Sequence, residues 1–129
     1  MGKRRHVLEV PGISHGANPI PAGVRIGNLV FSGGIMGQDP ETGAMPPDPA
    51  RQAELAFQAM QRLVETAGGT TDDIALVTVF VKDLAYREHI NREWLKYFPD
   101  ADDRPARHTL RYDLPGNMLV QLQCIAVLP

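Results

Sequence analysis

Cysteine is almost missing from this chain of 129 residues: Cys124 stands alone. An intrachain disulfide and a cysteine-based zinc site are therefore excluded, and nothing calls for an oxidising compartment. No apolar run approaches the roughly 18 residues of a membrane span, and the first residues lack the apolar core of a signal peptide. No membrane partner is expected, and the expected location is cytoplasmic. Excess positive charge is also absent. The formal net charge is −2, and the one basic run, Lys3-Arg4-Arg5-His6, sits at the terminus as a solvated tail. A nucleic-acid binder would carry a basic face, so nucleic acid is not an expected partner. The histidines, His6, His15, His89 and His108, show no metal-ligand spacing, and no metal is expected. No glycine loop of the phosphate-cradling kind precedes a helix, so no nucleotide cofactor is indicated. Ser32 adjoins glycines but lacks the preceding glycine of a nucleophile elbow. Cys124, in the apolar run Leu122 to Val127, reads as a small buried hydrophobe.

What is present suits one soluble domain, 1–129, with 1–5 as a flexible tail. Apolar residues make up 43% and charged residues 22%, and a domain of this size buries roughly two-thirds of the surface of its unfolded chain. Arg5 to Val10 reads as a strand. Pro11 to Ala22 holds three prolines and two glycines and reads as a long loop, of a length often given to function. Val24-Arg25-Ile26 and Leu29-Val30-Phe31 flank Gly27-Asn28, a hairpin signal. Ser32-Gly33-Gly34 permits a bulge or a close backbone approach, and Ile35-Met36 continues the sheet. Asp48 and Pro49 start a helix whose apolar stripe runs through Ala53, Phe57, Met60 and Val64, and Gly68-Gly69 ends it. Thr71 to Asp73 could add a turn. Ile74 to Val81 is a buried strand. Tyr86 to Phe98 is a second helix with Ile90, Trp94, Leu95 and Phe98 turned inward, stopped by Pro99. Two last strands, Arg107 to Tyr112 and Met118 to Val127, flank Leu114-Pro115-Gly116-Asn117 as a strand pair.

Two helices against about six strands predict an α+β fold, a single mixed sheet with both helices on one face. The other face has no cover of its own. If it carries Val24, Leu29 and the apolar positions of Val77 to Val81, a second copy of the chain must cover it.

Arg107 is the residue that most needs a partner. Its guanidinium stays charged and offers a planar fork of donors matched to a carboxylate. Two partners are open: a structural ion pair with Asp113 or a helix acid, or the carboxylate of a ligand. Strand alternation places Arg107, Thr109, Arg111 and Asp113 on one face, and Gln121 with Gln123 on one face of the last strand. If the register sets Gln121 opposite Arg107, the pocket holds a cation and a neutral amide. That suits a small anion with a bound water but supplies no general base.

Several segments carry a resemblance: Ser32-Gly33-Gly34-Ile35 after the hairpin, Val79-Phe80-Val81-Lys82-Asp83-Leu84, Asn91 with Trp94 and Phe98, Pro105-Ala106-Arg107 and Ile125-Ala126-Val127. From about Asn18 to Val127 the chain resembles the Rid, or YjgF, family of reactive intermediate deaminases, long labelled endoribonuclease L-PSP or translation inhibitor. The resemblance implies a fold like the bacterial trimeric chorismate mutase, a homotrimer and clefts between subunits. It also implies cofactor-free hydrolysis of small enamine and imine acids to 2-keto acids and ammonia. Arg107 would bind the substrate carboxylate, backbone at Thr109 would contact the substrate, and Ser32 with Gly33 and Asn91 would line the cleft. Two positions depart from the family. Ile20 stands where the family has a tyrosine. Gln121 stands where a glutamate positions water; an amide can hold the water but takes no proton. A binder of small carboxylic or 2-keto acids that lacks catalysis is the alternative, and an RNA-directed activity, as in the family's old name, ranks below both.

Overall fold

The computed structural model describes residues 2–129, so Met1 of the expected tail lies outside the described residues; Gly2 to Arg5 are exposed and belong to no strand. Strands β1 (His6–Leu8), β2 (Gly23–Ile26), β3 (Leu29–Ser32) and β4 (Ile35–Met36) come first. Helix α1 (Pro49–Thr66) follows, then β5 (Ile74–Val81), α2 (Arg87–Tyr97), β6 (Ala106–Arg111) and β7 (Val120–Val127). All seven strands form one mixed sheet in the order β1-β2-β3-β7-β5-β6, with β4 also paired to β7. The α+β architecture expected from the sequence is the one observed, with seven strands where about six were expected.

Local chemistry explains the elements. Gly27, at φ +59, opens the two-residue turn that closes Ile26 onto Leu29, the place where a primed hairpin turn needs positive φ. Asp48 caps α1 by accepting the Ala50 backbone N–H at 3.0 Å, a contact that stabilises a helix by about 1 kcal/mol. Gly68, at φ +99, ends the helix. Thr70 and Asp73 form a reciprocal capping box on the 3₁₀ turn Thr71–Asp73. Buried Gln52 bonds three loop groups, donating to the carbonyls of Pro46 and Asn117 and accepting from Leu119 N. A buried amide with every bond made is inexpensive, and it ties the loop before α1 to the start of β7.

The chain order explains why both helices share a face. β5 and β6 are parallel, and β7 runs antiparallel between β4 and β5. The crossovers β4–α1–β5 and β5–α2–β6 therefore advance across the sheet in the same direction. Crossovers of one hand in one direction put their helices on one side. The core lies between those helices and Val30, Val77, Val79, Val81, Val120, Leu122, Cys124 and Ala126, all at 1% exposure or less.

Three expectations are corrected. The last two strands are not a pair: β5 lies between β6 and β7. Both of those strands find a longer partner in the apolar run of β5 than in each other, and the Leu114 to Asn117 segment bridges across it. Second, Leu95 is 53% exposed and Glu93 is 3% exposed. The inward face of α2 runs through Ile90, Glu93, Trp94 and Phe98, and Lys96 Nζ neutralises Glu93 at 2.9 Å. Third, Val77, Val79 and Val81 face the helices. The uncovered face carries Val24, Phe31, Ile125, Leu76, Thr78 and Phe80, as their cross-strand pairing requires. Leu29 lies on that face as expected, since it pairs with Ile26 and Val127.

Candidate functional site

Arg107 sits on β6, the outermost strand of the sheet, paired with Val77 and therefore on the helix face. Asn91 and Trp94, three apart on α2, point to the same side. Arg107 Nη2 donates to Asn91 Oδ1 at 2.7 Å, and Nε donates to Thr109 Oγ1 at 3.0 Å. The guanidinium carbon lies 5.1 Å from the centroid of the Trp94 ring, within the range of a cation–π contact. Every one of these partners is neutral. The ion pairs among the described residues join Arg51 to Glu54, and Arg92 and Lys96 to Glu93, while the His89 ring lies 3.7 Å from Glu88. Arg107 is in none of them, and neither Asp113 nor a helix acid takes the structural role left open by the sequence. Burial, then the nearby charge of Arg87, hold the Arg107 pKa below its ordinary value. The group remains charged at any working pH. The arrangement fixes the fork with two hydrogen bonds and leaves its charge uncompensated.

The remaining sequence-nominated residues form a second cluster. Ser32 ends β3, and its Oγ accepts the backbone N–H of Cys124 at 2.8 Å. That hydroxyl stands in for the carbonyl that a regular ladder would place there, at the point where Ser32-Gly33-Gly34 separates β3 from β4. Gly33 N donates to Ala22 O at 2.9 Å, which fastens the end of the long loop carrying Ile20 beside the glycines. Ile20 is exposed. A Cβ at Gly34 would lie 2.6 Å from Gln121 Nε2, so the glycine is required for the amide to lie against the backbone. Gln121 pairs with Met36 and Phe80, and Nε2 contacts Met118 Sδ at 3.5 Å. His15, not nominated by the sequence, places its ring close to Gly33 and has a buried Nε2 with no partner among the described residues. Cys124 is buried on the opposite side of the strand, and burial pushes its thiol up to about 11. It is no nucleophile at neutral pH.

The structure does not bring the two clusters together within one chain. Gln121 pairs with Phe80, on the uncovered face, and Arg107 pairs with Val77, on the helix face. Strand β5 lies between them. The register that would set Gln121 opposite Arg107 on neighbouring strands is not formed, because the two strands are not neighbours. Arg107, Thr109 and Asn91 do meet. Ser32 and Gly33 lie where β3 gives way to β4, and Gln121 reaches that junction through its amide, which lies against the next residue, Gly34. The sequence reading placed Trp94 in the core but missed its ring beneath the guanidinium; the spacing Asn91–Trp94 on one helix face was the available signal.

The sequence model of the family described as Endoribonuclease L-PSP matches residues 15–128. The chain is 33% identical over 111 residues to the 2-iminobutanoate/2-iminopropanoate deaminase of Escherichia coli strain K12, covering 84% of this chain and 87% of that protein. It is 28% identical over 127 residues to the chloroplastic Reactive Intermediate Deaminase A of Arabidopsis thaliana, covering 97% of this chain and 67% of that protein. Among solved structures, E. coli TdcF with bound serine superposes with a TM-score of 0.87 at 28% identity, covering 96% of this chain and 99% of that one.

Proposed function

Since the chain belongs to the Endoribonuclease L-PSP family, known also as the Rid or YjgF family, we propose that it is a cofactor-free deaminase of small enamine and imine acids. The reaction is addition of water to the C=N carbon and expulsion of ammonia, leaving a 2-keto acid. One observation carries this reading: Arg107 is oriented by Asn91 and Thr109 yet has no carboxylate partner among the described residues. A pre-oriented, uncompensated guanidinium is suited to a substrate carboxylate, because the fork needs no reorganisation on binding. The names of the relatives support the reaction class.

Gln121 and Arg107 lie on opposite sheet faces, which supports a site shared between copies of the chain. The uncovered face carries Phe31, Leu76, Phe80 and Ile125, and an apolar sheet face of that kind seeks a second copy. In a homotrimer, Gln121 of one protomer would approach Arg107 of the next. An iminium carbon is already electrophilic, so orientation of substrate and water contributes most of what the protein must supply. The Gln121 amide holds the water, Ser32 and the backbone of Gly33 border it, and Ile20 closes the cleft from the long loop.

A second reading is favoured by Gln121 itself. An amide cannot accept the proton of the attacking water, so the same cleft could bind 2-keto acids without turning over imines. RNA cleavage is disfavoured by the acidic balance of the chain. The deciding experiment couples the protein to a dehydratase that releases 2-iminopropanoate and follows the appearance of keto acid and ammonia. Acceleration by the wild type and none by Arg107→Ala is the expected result. No acceleration, with keto-acid binding retained, identifies the binder instead.

A further inference from the structure

Arg87 is the second guanidinium at this site, and nothing in the fold explains it. It opens α2, four residues before Asn91, so the two side chains occupy one helix face about 5–6 Å apart at Cβ. Asn91 is the residue that holds Arg107 Nη2. Arg87 is exposed and takes part in no ion pair among the described residues. Its position in the first helical turn is electrostatically poor, because the N-terminal end of the helix dipole is already positive. Neighbouring Glu88 forms no ion pair with it among the described residues. The two guanidiniums also repel: proximity to Arg87 is one of the causes that lower the Arg107 pKa, after burial. Two like charges near one site cost stability, and an anion of matching charge between them offsets the cost.

We infer that Arg87 is a second anion anchor beside Arg107, and that the site selects substrates with two negative charges, 2-imino or 2-enamino dicarboxylates, over monocarboxylates. The inference rests on the reading that Arg107 takes the 2-carboxylate. Arg107, fixed by Asn91 and Thr109, holds the carboxylate next to the reacting carbon. Arg87, on a longer and freer reach, takes the distal one. Gln121 fits the same preference, since a neutral amide adds no negative charge to a site that must accept two.

The test uses calorimetric binding of two stable keto acids of similar skeleton, 2-ketoglutarate and 2-ketobutyrate. Wild type should bind 2-ketoglutarate about tenfold or more tightly over 2-ketobutyrate, the gain expected of one charge-assisted contact. Arg87→Gln should erase that preference and leave 2-ketobutyrate affinity unchanged. Arg92→Ala, which removes an arginine already bonded to His89, should keep the preference and controls for net charge. Equal affinity of the two acids in wild type, or a preference that survives in Arg87→Gln, overturns the inference while leaving the Arg107 reading intact. If instead both acids bind Arg107→Ala as well as wild type, it is the underlying reading that fails. Light scattering on Arg87→Gln covers the remaining possibility: loss of assembly would make Arg87 a subunit contact and overturn its role as an anchor.

Discussion

Arg107 Nη2 donates to Asn91 Oδ1 at 2.7 Å, and the amide oxygen is the only group on α2 that hydrogen-bonds the arginine among the described residues. A neutral acceptor orients the fork without cancelling its charge. Asn91→Asp keeps the shape and adds the missing carboxylate. The new ion pair should compete with the ligand and weaken 2-keto acid binding by about tenfold or more, a charged partner contributing more than a neutral one. Calorimetry on the purified variant checks this, and unchanged affinity would show that the ligand does not use the Arg107 fork.

Arg107→Ala should remove carboxylate binding and leave the fold intact, because β6 lies at the sheet edge and the one core residue the side chain meets, Trp94, keeps its ring contact with Phe98. A bidentate charge-assisted contact contributes about 1.5–3 kcal/mol, or roughly ten- to a hundredfold in affinity. Arg107→Lys should recover little, since an ammonium cannot present two parallel donors and lacks the planar face that lies over Trp94. Wild-type affinity in the alanine variant, with an unchanged circular dichroism spectrum, would return the arginine to a structural role.

A shared site makes a prediction about mixtures. Arg107→Ala and Gln121→Ala should each be impaired alone. Unfolded, mixed in equal amounts and refolded together, they should regain about a quarter of the wild-type sites if each site takes Arg107 from one chain and Gln121 from the next. Separately refolded controls should regain none. Light scattering at micromolar concentration should give a trimer mass. A monomer would remove the shared site altogether.

Gln121→Glu tests the missing base. A carboxylate in place of the amide can accept the proton of the attacking water, and general base catalysis typically contributes about a hundredfold or more. The kcat for a freshly generated 2-imino acid at saturation should rise. KM should rise as well, because the new charge competes for Arg107. An inactive wild type with an active glutamate variant would describe a binder built on a deaminase scaffold. A fall in kcat from a fully active wild type would show that other groups position the water.

Cys124 predicts an alkaline weakness. Its thiol is held up at about 11 by burial, against an ordinary value of 9.0. The folded state therefore retains a proton that the unfolded chain releases. The contribution is fully present below pH 9 and is lost as pH rises from about 9 to 11, amounting to about 2–3 kcal/mol in all. Urea denaturation across that range should show the slope in wild type and a shallower one in Cys124→Ala. Parallel curves would show that the thiol is not held protonated.

Local sequence signals were enough to mark the elements and the residue chemistry. Asp48-Pro49 and Gly68-Gly69 bounded α1 because caps and breakers act within one turn. Gly27-Asn28 placed the hairpin, and the β-branched run of Ile74 to Val81 marked the buried strand. Arg107 was identifiable as a cation seeking a partner, because a guanidinium keeps its charge wherever it is placed. Which strands are neighbours emerges at the level of the folded sheet. β6 and β7 follow one another in the chain, yet each pairs with β5, since pairing depends on long-range competition for the most apolar strand and not on local pattern. That choice put Arg107 and Gln121 on opposite faces of the sheet. Side-chain alternation is legible along a single strand, but the face it selects is set by where the helices pack. The same packing buried Glu93 and exposed Leu95, and it brought Asn91, Trp94 and Arg87 to the arginine from a different segment of the chain.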